Sequence, residues 1–232
     1  MVLCRSAGGS HLLAPIQGVI RRPNLLAGED LPPAPRQKRS VEKRRRIQAA
    51  AIALFRDRGF QATSIEDIVR KARMPVGGFY QHYRSKRQLL VALMDQLLQT
   101  MAQLDLRPKP SADLRAGLRD FLARAFSGDL RHLGAYRAWQ EAALSDRDLA
   151  GQQRRIRAWT TARVTRVFAA LHQLPGARHD ADIPSLARAM DTFFWNLLGE
   201  AIHASKIELD QWIDSAAHLI YHALFLDSGP VQ

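Results

Sequence analysis

Residues 63–86, TSIEDIVRKARMPVGGFYQHYRSK, constrain this chain more than any other stretch, because they admit only short helices set close together. Thr63 followed by Glu66 has the spacing of a capping box, so a helix is expected to begin there. Ile65, Ile68, Val69 and Ala72 then fall on one helical face. Met74 precedes Pro75, and the residue before a proline is pushed out of the helical region, so the first helix must end. Pro75 suits the first turn of a second helix, where its missing N–H costs nothing. That helix carries Val76, Phe79, Tyr80 and Tyr83 and stops before Ser85. Ser85 with Gln88 opens a third, longer helix. Two helices three or four residues apart, the second with exposed polar side chains, make a helix-turn-helix.

Gly77 and Gly78 lie inside the second helix, where each costs about 1 kcal/mol relative to Ala. A purely structural helix gains nothing from that weakness. A helix whose backbone must approach another surface, such as a phosphate backbone, does gain from it. The plainer reading is that the glycines mark a loop, but Phe79, Tyr80 and Tyr83 keep helical spacing after them.

Charge points the same way. Of the net +12, residues 36–87 hold +11, with 15 Lys and Arg against four acidic residues. Residues 88–232 carry 16 of each sign. A basic segment joined to a neutral body is the electrostatic footprint of a polyanion binder. A merely solvated basic face would not gather nearly the whole excess in one folded unit.

The segment from about Arg44 to Leu90 resembles the DNA-binding domain of the TetR family of bacterial transcriptional regulators. The resemblance is carried by Ala49-Ala50-Ala51-Ile52-Ala53-Leu54-Phe55, Gly59-Phe60, Thr63-Ser64-Ile65-Glu66-Asp67-Ile68, Val76-Gly77-Gly78-Phe79-Tyr80-Gln81-His82-Tyr83 and Ser85-Lys86, in that order. It covers about a fifth of the chain; beyond it the likeness is one of length and all-helical layout. Pro75 stands where the family often has a Ser cap and Gly78 where it often has Thr, so two side chains able to bond phosphate or base are missing. The resemblance implies a dimer reading a palindromic operator in double-stranded DNA, a repressor released by an effector, and the aromatics of the neutral body suit a small apolar or aromatic one. The candidates for DNA contact are Arg44, Thr63, Ser64, Pro75, Val76, Gly77, Gly78, Tyr80, Gln81, His82, Tyr83 and Lys86. Tyr80 and Gln81 are the best-placed polar side chains for the major groove, and Lys86 is expected to clamp the DNA backbone.

Around this unit the chain divides readily. Residues 1–35, rich in Pro and Gly, read as a disordered extension. Residues 36–46 form a basic arm, equally suited to a minor groove or to a solvated helix start. A helix over 41–58 buries Ile47, Ala50, Ala51, Leu54 and Phe55, with Gly59 as its C-cap. The helix from Lys86 carries an apolar stripe from Leu89 to Met101 that can link reading head to body. The DNA-binding unit with this link takes 36–107 and a helical ligand-binding and dimerisation domain 108–232. Body helices are expected near 112–126, 131–143, 147–173, 184–205 and 208–226, broken at Ser127-Gly128-Asp129, Ser145-Asp146, Pro175-Gly176 and Ser205-Lys206. No strand-like alternation occurs, so the fold is all-α.

The last two helices are the most apolar and suit a four-helix bundle with their symmetry mates; the alternative is that both are monomer core. Tyr136, Trp139, Trp159, Phe168, Phe193, Phe194, Trp195 and His203 are candidates to line a ligand cavity. His218 and His222 share a face but no acidic residue or cysteine joins them, so no metal is expected. No cofactor motif, phosphate-cradling loop or serine elbow occurs, which speaks against an enzyme. The single Cys4 excludes an intramolecular disulfide and fits a reducing cytoplasm. No apolar run approaches the ~20 residues of a membrane helix. The stretch His11–Ile20 is too short and holds Pro15, Gln17 and Gly18, and it lacks the compact basic start and small-residue cleavage pattern of a signal peptide. The competing reading is a basic, dimeric helical protein that binds nucleic acid or an anionic membrane surface without regard to sequence.

Overall fold

The computed structural model describes residues 20–33, 36–105, 113–129 and 132–225. Nine helices appear among them: α1 Lys38–Arg58, α2 Ile65–Lys71, α3 Val76–Tyr80, α4 Lys86–Gln103, α5 Leu114–Asp129, α6 Leu133–Ala143, α7 Arg147–Leu171, α8 Ile183–Glu200 and α9 Lys206–Leu224. The fold is all-α; the only β-type pairing among the described residues is an isolated bridge, Ala177 to Phe225.

Local chemistry explains the ends. Gly59 closes α1 at φ 82°, a left-handed conformation natural to glycine, with its N–H on the Phe55 carbonyl at 2.9 Å. α1 opens at Lys38, so most of the basic segment is the solvated first turns of a helix and not a free arm. α2 corrects the expected cap. Ser64, not Thr63, is the N-cap, its hydroxyl accepting from Asp67 N at 3.0 Å while the Asp67 carboxylate accepts from Ser64 N. The Thr63 hydroxyl is spent on the Gly59 carbonyl at 2.7 Å. The Ser64 hydroxyl and N–H, bonding the Asp67 carboxylate, hold its pKa below the ordinary value. Ser205 caps α9 with the same reciprocal pair, through Glu208, while the Asp146 and Asp182 carboxylates cap α7 and α8 by accepting from first-turn N–H groups. Ser127-Gly128-Asp129, expected as a break, belongs to α5.

α1, α2 and α3 enclose Ile47, Phe55, Ile68, Phe79 and Tyr83, all fully buried. α4 leaves this head and is buried along most of its length, from Gln88 to Met101. α6 lies along α1, α8 along α7, and α9 along α5. One core runs without interruption from the head through α4 to Tyr136, Trp139, Trp159 and Trp195; a second fills the space among α5, α7, α8 and α9. The expected domain boundary at 107/108 lies outside the described residues.

The largest departure is at the N-terminal side. Residues 20–33, expected to be disordered, form a packed strap. They hold no helix or strand, as their prolines and glycines require, but irregular backbone need not be unpacked. Leu25 is fully buried in the main core, and Ile20, Leu26 and Leu31 pack against that core. The Asp95 carboxylate on α4 accepts from Leu25 N at 3.2 Å and pairs with Arg22. Arg87 joins Glu29 of the strap at 2.7 Å to Asp146 at the start of α7 at 2.8 Å. Residues 1–19 lie outside the described residues.

Candidate nucleic-acid interface and ligand cavity

α3 is too short to bury more than one face. Gly78 and Phe79 turn inward, while Pro75, Val76, Gly77, Tyr80 and Gln81 are exposed, Tyr80 by 50%. A Cβ built on Gly77 would meet nothing within 4 Å, so the backbone at this point stands open to whatever approaches. Gly78 instead faces the Met74 side chain. Arg73, just before α3, adopts φ 53°, the left-handed turn that aims the short helix.

Several other candidates serve the framework. The Tyr83 ring is fully buried, and its hydroxyl accepts from Arg44 Nε at 3.1 Å and Gln48 Nε2 at 3.0 Å. Arg44 also lies over that ring. Burial pushes the Tyr83 pKa up. His82 is buried with no hydrogen-bond partner at Nε2. Burial, with Arg44 and Lys43 nearby, pushes its pKa down, so the neutral ring is favoured. Thr63 is buried, and Ser64 is exposed at the start of α2. The spacing that singled out His82 and Tyr83 is sound, but α3 ends at Tyr80 and the following turn carries both rings inward.

Lys86 has a different task from the one expected. Its ammonium donates to the carbonyls of Phe60 and Thr63, both at 2.7 Å, and lies 4.4 Å from the centre of the Phe60 ring. From the body, Glu141 of α6 accepts from the backbone N–H of Phe60 at 2.6 Å and of Gln61 at 3.0 Å. Thus α4 and α6 hold the same turn of the head from two sides. Burial lowers the Lys86 pKa and the nearby Glu141 carboxylate opposes this.

In the body, a cavity of about 120 Å³ opens among α5, α7, α8 and α9, against the C-terminal end of α4. Phe121, Phe126, Phe168, Met190, Phe193 and Phe194 form much of its wall. Of the expected ligand contacts, Phe168, Phe193 and Phe194 line it, whereas Tyr136, Trp139, Trp159, Trp195 and His203 do not. Tyr136 is packed 4.8 Å from the Trp195 ring, its hydroxyl bonded to Trp195 O and Gln140, and burial pushes its pKa up to about 12. Trp139 donates to Gln153 at 2.7 Å. Trp159 lies beneath the Arg163 guanidinium, and His203 is exposed. Tyr136 and the three tryptophans are core, and beyond Phe168, Phe193 and Phe194 the wall is made largely of Met, Leu, Ala, Val and further Phe residues. Among the described residues no group of three His, Cys, Asp or Glu stands together as a metal site. None of their helices is long and apolar enough to cross a membrane.

Comparison with known proteins fits this geometry. Residues 47–93 match the family model described as bacterial regulatory proteins, tetR family. The A-factor receptor protein of Streptomyces griseus is 33% identical over 103 residues, covering 44% of this chain and 35% of that protein. The transposon Tn10 TetC protein of Escherichia coli is 45% identical over 49 residues, 21% of this chain and 25% of that protein. The chain therefore spans only about a third or less of the length of these relatives. Among solved structures, the SmeT–triclosan complex superposes with a TM-score of 0.59 at 25% identity, covering 80% of this chain and 93% of that one. The reduced form of E. coli NemR gives 0.59 at 14% identity, covering 81% and 100%. Over residues 47–93 the chain therefore carries the helix-turn-helix unit of the tetR family of bacterial regulatory proteins, on a body that shares its fold with SmeT.

Proposed function

We propose that the protein is a repressor that binds a palindromic operator as a dimer and lets go when a small apolar or aromatic molecule enters the body. The observation that carries this is the placement of α4. Its first turn holds the head through Lys86, and its last carbonyls, Met101 and Leu104, lie against the cavity under Arg163, which donates to them at 2.7 and 3.4 Å. A ligand that moves the far end of α4 thereby shifts the population of head positions, and a coupling of about 1–3 kcal/mol lowers DNA affinity several-fold or more. The structure of SmeT in complex with triclosan supports a ligand role for a body of this fold.

In this reading the basic exposed turns of α1 hold phosphates, and Tyr80 and Gln81 face the major groove while the bare backbone at Gly77 comes close to the DNA. The dimer interface falls on α8 and α9. Ile207 and Leu219 of α9 are 71% and 52% exposed, and Phe193 and Leu197 of α8 are half-buried, an apolar surface that a second copy would cover. Ile220 is buried, so a charge there tests the core and not the interface.

On a duplex enriched from a random pool, Tyr80→Ala and Gln81→Ala are expected to weaken binding roughly tenfold or more each, from a loss of about 1–3 kcal/mol per base contact. Their melting temperatures should stay at the wild-type value, since both side chains are exposed. Normal binding by both variants in a gel-shift titration would show that α3 is not the reading helix.

A further inference from the structure

We infer that the cavity selects a ligand whose buried part has no hydrogen-bonding group: a single hydrocarbon or halogenated ring, not an amine, phenol or acid. The inference rests on reading the cavity as the effector site and names the chemistry that site takes. The polar residues at the wall are Thr160, Arg163 and Asp191, and each is already engaged by the protein. The Thr160 hydroxyl accepts from Trp195 Nε1 at 3.2 Å and donates to the Arg157 carbonyl at 3.1 Å. Arg163 bonds the two α4 carbonyls and lies 4.8 Å from the centre of the Trp159 ring. Asp191, 2% exposed, accepts from the Thr161 hydroxyl at 2.9 Å and has the Arg157 guanidinium at 3.8 Å. Burial raises its pKa above the ordinary carboxylate value, with Thr161 and Arg157 opposing the rise.

The rest of the wall is side-chain carbon and thioether sulfur from Met, Leu, Ala, Val, Phe and Ile. A hydroxyl or ammonium group entering it would give up its water and find its prospective partners occupied. The same wall rewards an apolar ring. The Phe126 and Phe194 rings, 4.9 Å apart and inclined by 55°, offer both an edge and a face to it. Size agrees, because an apolar cavity of roughly 150 Å³ accepts benzene, and about 120 Å³ is available here.

The test uses the full chain with three probes of nearly one shape: toluene, chlorobenzene and phenol. Dissociation constants come from calorimetry or ligand-observed NMR. Toluene and chlorobenzene are expected to bind at least tenfold tighter than phenol, as a dry pocket discriminates by roughly that factor to a hundredfold. Ala125→Leu, which extends a lining side chain into the space, should abolish toluene binding. Where that variant does not keep the wild-type melting temperature, Val164→Leu on α7 serves the same purpose. Phenol binding as tightly as toluene, and lost in the filled variant, would overturn the apolar selection while leaving the cavity as a ligand site. No binding by any probe, or binding untouched by filling, would overturn the cavity reading as well.

Discussion

Gly134→Ala is expected to force the reading head away from the body. A Cβ at this position would stand 1.9 Å from the Ile52 carbonyl oxygen, 2.9 Å from the Ile52 carbonyl carbon and 3.0 Å from the Arg56 nitrogen. All three atoms are α1 backbone, so no side chain can swing aside to make room. α1 and α6 must separate, and the bonds from α6 to the head go with the contact: Arg137 to the Arg56 carbonyl of α1, and Glu141 to the Phe60 and Gln61 N–H groups of the turn that follows it. Overpacking of this kind costs about 3 kcal/mol, the upper part of the usual range. That corresponds to a fall of roughly 6–12 °C in melting temperature for a chain of this length. Helix propensity runs the other way, since Ala improves a helix interior by about 1 kcal/mol over Gly. A loss can therefore come only from the clash. A melting temperature equal to the wild type in a thermal scan would show that the two helices are not in backbone contact.

Leu25→Ala should have an effect of similar size, at a position where a disordered tail would show none. The side chain is fully buried in the core shared by head, α4 and α6. Truncating a buried leucine removes about 2–5 kcal/mol through lost burial and the cavity left behind. Leu25 also keeps its own N–H on the Asp95 carboxylate, so the variant loosens the segment that shields that buried charge. Urea unfolding reads the difference directly. A midpoint unchanged from wild type, as for a surface substitution within about 0.5 kcal/mol, would mean that the strap does not lie on α4.

These two positions show what the sequence does and does not disclose. The helices of the body are legible because Ser145-Asp146, Pro175-Gly176 and Ser205-Lys206 break the chain and the apolar faces repeat at helical spacing, although α8, expected to reach 205, ends at Glu200. Gly59 was legible for the same reason: a glycine directly after a periodic run. Thr63 and Ser64 were not separable, since both have an acidic residue three positions on. Only the Gly59 carbonyl, which takes the Thr63 hydroxyl, decides between them. The strap is not legible, because Pro and Gly exclude helix and strand but say nothing about Leu25 finding a pocket beside Asp95, seventy residues on. Gly134 carries no local sign of its role, as the close approach to α1 is a long-range fact. Val76, Tyr80 and Gln81, expected on the outward side of the second short helix, are exposed. His82 and Tyr83 were misplaced because α3 closes one turn sooner than the aromatic spacing suggests. Of the expected ligand contacts the three phenylalanines line the cavity, whereas Trp139 and Trp195 bond Gln153 and Thr160 inside the core, a long-range pairing that helical spacing does not disclose.

The proposed role rests on recognition of a defined DNA sequence by two copies of α3. The full chain should be mixed with a pool of random duplexes, the bound fraction amplified over several rounds at fixed salt, and the survivors sequenced. The expected result is one enriched consensus with inverted symmetry, its two half-sites separated by about one helical turn or a multiple of it. Retention of all sequences alike, with affinity set by salt concentration alone, would contradict the account and leave only the attraction between a basic head and phosphate.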